Sequence, residues 1–260
     1  MSLPQPAPPE QEREKVFART TKGLRVYLAT PRLRALLGLN LTAAAAGAMV
    51  LVNTVVIVRD GTGGSDAEVA VTLSAYGLGS VLAALLLIRL LQRLGDRTLM
   101  ILGGLLLTGV LALTGVAFAA QPSWPLVLIA WVLLGVGTAV VQTPAGRLVR
   151  RSARAGDWPV LFAAQFTLSH AAWLLAYLVA GTVGAHAGLA VALFALAALA
   201  GAGMLWSQRV WPRQDDGPLE HLHDDLDPGD PHLRDAVPAR GGWRHSHTVL
   251  IDRIHPKWPT

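Results

Sequence analysis

Six long apolar runs, separated by short polar breaks, decide what this chain can fold into. They lie at about 35–58, 69–91, 98–119, 125–146, 158–183 and 187–206, and each supplies the roughly 20 apolar residues a helix needs to cross about 30 Å of hydrocarbon. Lipid cannot satisfy a free N–H or C=O, so a spanning segment is a helix or part of a closed barrel. No ten-residue dyad pattern points to a barrel. The expectation is an all-α membrane protein with six transmembrane helices. Composition agrees, with 52% of residues hydrophobic and 15% charged.

Several classes are set aside at this stage. The chain has no cysteine, which excludes a disulfide framework, a thiolate metal site and a cysteine nucleophile. The opening "MSLPQPAPPEQ" is polar and Pro-rich and lacks the h-region of a signal peptide. No Walker-type run is present for an ATP-driven role. The net charge of +5 is not a nucleic-acid signature, because the basic residues flank the apolar runs, as in membrane proteins.

Their distribution also predicts orientation. Of 22 Lys and Arg, only Arg59 falls on one side of the expected bilayer. The other side takes the lead-in, the Arg89, Arg93 and Arg97 loop, the Arg147–Arg154 loop and the tail. Both termini are therefore expected in the cytoplasm. Trp124, Trp158, Trp206 and Trp211 lie near the expected span ends, as in an aromatic belt.

The lead-in, residues 1–34, places Phe17, Leu24 and Leu28 near helical spacing among basic residues. It reads either as a helix on the anionic inner leaflet or as a solvated basic linker. The tail, residues 207–260, is charged, with Pro and Gly clusters, and is expected to be mostly disordered, with a short strand allowed at "HTVLID". The loop "RDGTGGSDAE" reads as a solvated turn in which Asp66 caps the next helix, the alternative being an ion-pair gate. No sequence repeat is evident, although an inverted three-plus-three arrangement needs none.

Polar groups inside hydrocarbon are costly and so mark function. In the fifth run, "WPVLFAAQFTLSHAAWLLAYLVAG", Gln165, Phe166, Ser169, His170, Trp173 and Tyr177 fall within an arc of roughly 140°. That face suits a substrate cavity or, alternatively, a helix–helix contact. His170 is the candidate for proton coupling, since its ordinary pKa lies near 6.5; the other reading is a satisfied structural histidine. Asn40, Asn53 and Gln142 are further cavity candidates. The tail's "EHLHDDLDPGDPHL" offers His221, His223, Asp224 and His232, followed later by "RHSH". Such side chains bind nickel, zinc or copper, but the spacing matches no defined site, so no metal or other cofactor is expected.

The loop "IRLLQRLGDR" (88–97) keeps Arg93, Gly95 and Arg97 of a transporter loop signature and has Asp96 where a basic residue would stand. "TTKGLRVYLATPRLRALLGLN" is similar to a central loop entering a seventh helix, and "QTPAGRLVRRSA" with the fifth run is similar to tenth and eleventh helices. Together, over about residues 20–206, the chain resembles the C-terminal six-helix half of a major facilitator superfamily transporter, in a bacterial efflux-like branch. The resemblance implies a plasma (inner) membrane location, proton-coupled export of a small molecule, and alternating access around a central cavity. A full-length member has twelve helices, so this chain is expected to be a half-size or truncated transporter that is completed by a second copy or a separate N-terminal half. Two other classes compete. One is a non-transporting scaffold or regulatory subunit. The other is an intramembrane serine protease built on Ser80 of "GLGSVLA" and His170, which lacks the glycine after its serine.

Overall fold

The computed structural model describes residues 16–213, 217–224, 226–227, 229–247, 249–251, 254–255 and 258. The Pro-rich opening with Arg13 and Lys15 lies outside the described residues, as do Thr248, Asp252 and the side chains of Phe17, Arg19 and Gln92. Among the described residues, eight α-helices precede a small sheet: α1 (Val16–Ala29), α2 (Pro31–Val56), α3 (Asp66–Arg93), α4 (Asp96–Ala120), α5 (Trp124–Gln142), α6 (Ala145–Arg151), α7 (Trp158–Ala187) and α8 (Leu189–Val210). Six helical stretches, containing α2, α3, α4, α5 with α6, α7 and α8, are long and apolar enough to cross a membrane.

Local sequence sets most of the breaks. Proline opens α2, α5 and α7, where its missing N–H costs nothing. Gly188, at φ +89°, turns the chain from α7 into α8. α7 runs to Ala187, past the expected end, and carries His186 in its last turn. Beyond Val56, α2 continues through a π turn, Ile57–Gly61. The following turn differs from expectation: Ser65, not Asp66, caps α3, with Glu68 closing a capping box. Asp66 instead pairs with Arg59 at 2.8 Å, with both side chains well exposed, so the pair contributes little.

The core sits around α2, the most buried of the six long helices. α2 packs on α7 and α8, α5 packs on α3 and α4, and α4 meets α8.

Small residues make these contacts close. A Cβ on Gly38 of α2 would fall 2.5 Å from the Gly203 carbonyl of α8, and one on Gly79 of α3 only 2.1 Å from the Val132 carbonyl of α5. Hydroxyls bridge the same seams: Thr42 donates to Ala200 O at 2.8 Å, Ser207 to Ala35 O at 2.7 Å, and Ser80 to Gly135 O at 3.1 Å. Trp131, fully buried, donates its indole N–H to Thr54 at 2.9 Å.

α1 docks on the start of α7. Lys22 pairs with Asp157 at 2.8 Å, the buried Tyr27 hydroxyl donates to Gln165 Oε1, and a Cβ on Gly23 would fall 2.4 Å from Val160 O. Leu24 and Leu28 stay exposed on the other side. The lead-in helix thus has one face on protein and an apolar face turned away from it, and burial pushes the Tyr27 phenol pKa up.

The tail departs from expectation. It forms an antiparallel sheet of order β1-β3-β2, from β1 (Leu219–His223), β2 (Val237–Ala239) and β3 (Gly242–His247). The strand therefore sits just before most of "HTVLID". Arg240 and Gly241 link β2 to β3, and Gly242 cannot carry a side chain, because a Cβ would lie 2.0 Å from His223 O. The composition that reads as disorder hides this sheet because its inner face is histidine, not hydrocarbon.

The close α3–α5 contact generates a test. Gly79→Leu is expected to destabilise the bundle by about 1–3 kcal/mol or more through overpacking. Gly77→Leu, where a Cβ meets nothing within 4 Å, should change stability by less than about 0.5 kcal/mol. Thermal melting in detergent distinguishes them; equal melting of both variants and the parent contradicts the packing.

Candidate functional site

α7 is the least covered of the six long helices. Its buried stripe is Leu161, Ala164, Ala172, Ala176 and Ala180, small residues that allow α2 to come close. The polar and aromatic arc lies beside and opposite that stripe. Phe166 is 63% exposed, Tyr177 38%, and His170 is exposed as well. Gln165, Ser169 and Trp173 are half-buried along one edge. There Gln165 accepts from Tyr27, and the Trp173 ring lies over Gly47, where a Cβ would meet it at 2.1 Å. The expected face is thus one continuous surface, anchored along one edge and open along the other.

The open groups are ordered by their own helix. His170 Nδ1 lies 2.8 Å from Phe166 O, so Nδ1 carries the proton and a neutral ring keeps its Nε2 lone pair for another partner. Its ring stacks on Phe166 with centroids 3.9 Å apart, and Trp173 and Tyr177 form a second pair at 5.3 Å. Ser169 donates to Phe166 O at 2.9 Å. Two aromatic pairs, an imidazole edge, a hydroxyl and an amide can stack on a flat or cationic solute and orient it.

The other cavity candidates are placed differently. Asn53 is tied across the α2–α7 seam, donating to Ala180 O at 3.2 Å. Gln142 is half-buried at the end of α5. Asn40, 1% exposed in α2, has no hydrogen-bond partner for either amide atom among the described residues. A buried amide left so costs about 1–3 kcal/mol, which a polar solute or water would relieve. Ser80 is committed to Gly135 O and Tyr76 O, while His170 Nδ1 sits at Phe166 O. No hydrogen bond joins them among the described residues, so they form no nucleophile and base pair.

The basic loop is more than a charge marker. Arg93 ends α3 and is exposed, and Gly95, not Asp96, occupies the N-cap of α4. Asp96 is 4% exposed; it accepts from Arg147 and lies 3.9 Å from Arg151. Arg97 reaches the Trp211 carbonyl at 3.4 Å. Arg32, 2% exposed, donates to Ser152 Oγ at 2.9 Å and stands over the Trp258 ring. The loops of this end are therefore knitted together, a function that counting charges does not reveal.

The tail holds a second cluster. β1 sets His221 directly opposite His245 of β3, and the alternation of a strand puts His223 and His247 on the same face. His232 and His255 close over it. Ligand nitrogens of His221, His223, His232, His245 and His255 lie within 4.8 Å of one another. Asp224 is exposed and stands outside the group. Desolvation first, and then the charges of His221, His247, His232 and His223, pull the His245 pKa down to about 4. The signal missed in the sequence is the pair "HLH" and "HSH", each giving two imidazoles on one strand face.

A bundle of six membrane-length helices built on small-residue seams, with a polar aromatic face on one helix, defines a multi-pass membrane protein. Comparison with known families makes this specific. A model of the Major Facilitator Superfamily matches residues 36–244, and the chain belongs to that superfamily. No curated protein matches it.

The Asp96 cluster can be tested by removing either partner. Arg147→Ala leaves a buried carboxylate whose remaining ion-pair partner among the described residues is Arg151, and is expected to cost about 3 kcal/mol. Asp96→Asn keeps the shape, removes the charge, and is expected to cost about 1 kcal/mol. Melting of the two variants in detergent should give that order; the reverse order contradicts it.

Proposed function

We propose that the chain is one half of a secondary active transporter, with the outer face of α7 as the wall of its substrate pathway. The reading rests on one observation: Gln165, Phe166, Ser169, His170, Trp173 and Tyr177 form a polar, aromatic surface, half-buried along the Gln165, Ser169 and Trp173 edge and exposed at Phe166, His170 and Tyr177. Such a surface is costly against lipid, whereas protein or a water-filled cavity accommodates it. The open face of α3, by contrast, carries Leu78, Val81, Leu82, Leu85 and Leu86, which lipid tolerates. A second six-helix body, from another copy or a separate N-terminal half, completes the cavity, and rocking between the bodies gives alternating access.

The substrate in this reading is a small molecule with a flat or cationic apolar part, exported against a proton gradient across the plasma membrane. His170 exchanges the coupling proton at Nε2. The termini face the cytoplasm, because the end carrying Arg32, Arg97, Arg147 and Arg151 then faces the anionic leaflet.

Liposomes holding the purified chain, with an imposed pH gradient and hydrophobic organic cations as probes, test the reading. Gradient-driven flux is expected, and His170→Ala should abolish it while leaving counterflow exchange intact. Undiminished gradient-driven flux in His170→Ala contradicts the assignment. Asn40→Leu supplies a separate test: replacing an unsatisfied buried amide with an apolar group should keep or raise the melting temperature while lowering flux. A lower melting temperature with unchanged flux assigns Asn40 to packing alone.

A further inference from the structure

The tail sheet is built around the wrong material for a domain that stands by hydrophobic burial. Among the described residues from 217 onward, the buried side chains are His221, His223, Leu233, Val249 and His255. Three of these five are imidazoles. A unit of about 40 residues seldom holds together without a disulfide, a metal or a partner, and this chain has no cysteine. Some of its support comes from the bundle: Ile251 packs against the helical core, and Trp258 lies on Arg32. The centre of the sheet face remains a set of converging nitrogens.

We propose that the tail is a transition-metal-binding domain, in which His221, His223, His232, His245 and His255 hold one divalent late first-row ion through their imidazole nitrogens. Four features carry this. The five nitrogens lie within 4.8 Å of one another, and shifts of about half an ångström bring them onto one coordination sphere, about 4.2 Å across at metal–nitrogen bonds of about 2.1 Å. His221 Nε2 is 3.0 Å from His255 Nε2 and 3.1 Å from His245 Nε2. Metal–nitrogen bonds of about 2.1 Å set neighbouring ligands about 3.0 Å apart in an octahedron and about 3.4 Å apart in a tetrahedron, and both spacings fall within a few tenths of an ångström of that range.

The third feature is the tautomer. His221 Nδ1 lies 2.9 Å from Leu219 O, so it donates there and turns the Nε2 lone pair inward. That backbone bond is the outer support which metal-binding imidazoles use. One lone pair cannot accept straight bonds from both His245 and His255, whereas a cation between the rings uses a lone pair from each. The fourth is access. A cleft of 410 Å³ reaches the cluster, lined in part by His232, His245, His255, Asp235 and Arg154. All-imidazole ligation selects nickel, cobalt, copper or zinc over magnesium or calcium. The proposal is independent of whether the bundle transports anything.

The test uses the full chain purified in detergent on an affinity tag without histidine, stripped with chelator and dialysed against Ni²⁺, Co²⁺ or Zn²⁺. One equivalent per chain is expected, with X-ray absorption showing a shell dominated by imidazole nitrogens. The paired change His221→Ala with His255→Ala should abolish stoichiometric binding, whereas His186→Ala should keep it. Absence of stoichiometric binding, or binding undiminished in the first pair, overturns the proposal. Should the first pair unfold the tail, the wild-type absorption spectrum decides, and a shell with fewer than four imidazoles overturns the proposal.

Discussion

The bundle depends on how closely helix backbones approach one another. Lipid tails are as apolar as leucine, so no hydrophobic force draws spanning helices together, and contact, hydroxyl bridges and shape must do so. Gly38 against Gly203, and Gly79 with Gly135 against α5 and α3, bring backbones to distances that exclude a Cβ. Thr42, Ser80 and Ser207 then donate across the seams. The alanine stripe of α7 is the same device, and it places that helix with its polar face outward.

Helix number was legible because each span must satisfy its own backbone in lipid, and that requirement fixes length and composition. The α7 face was legible too, since a 100° repeat projects Gln165 to Tyr177 onto one arc whatever surrounds it. Which side of that arc touches neighbours was not, because it depends on Tyr27 and Gly47, more than 100 residues away in sequence.

Charges were the least transparent. Arg32 read as one of the basic residues that mark a membrane side and Asp96 as a departure from a loop signature, yet both are buried, one on Ser152 and the other between Arg147 and Arg151. Burial of a charge requires partners, and those partners come from separate helices. The tail was misread for a related reason. Its inward-facing residues are histidines, which composition counts as polar, so alternation along β1 and β3 did not register as a buried face.

The central claim is that the open face of α7 borders water and a solute rather than lipid. The chain's lack of cysteine makes single introduced thiols unambiguous reporters. Labelling of Ser169→Cys and His170→Cys by a membrane-impermeant maleimide in proteoliposomes, beside Leu85→Cys on the apolar open face of α3, measures this directly. The account predicts rapid labelling of the two α7 positions and none at Leu85→Cys. Protection of both α7 positions, or equal labelling at all three, would contradict it.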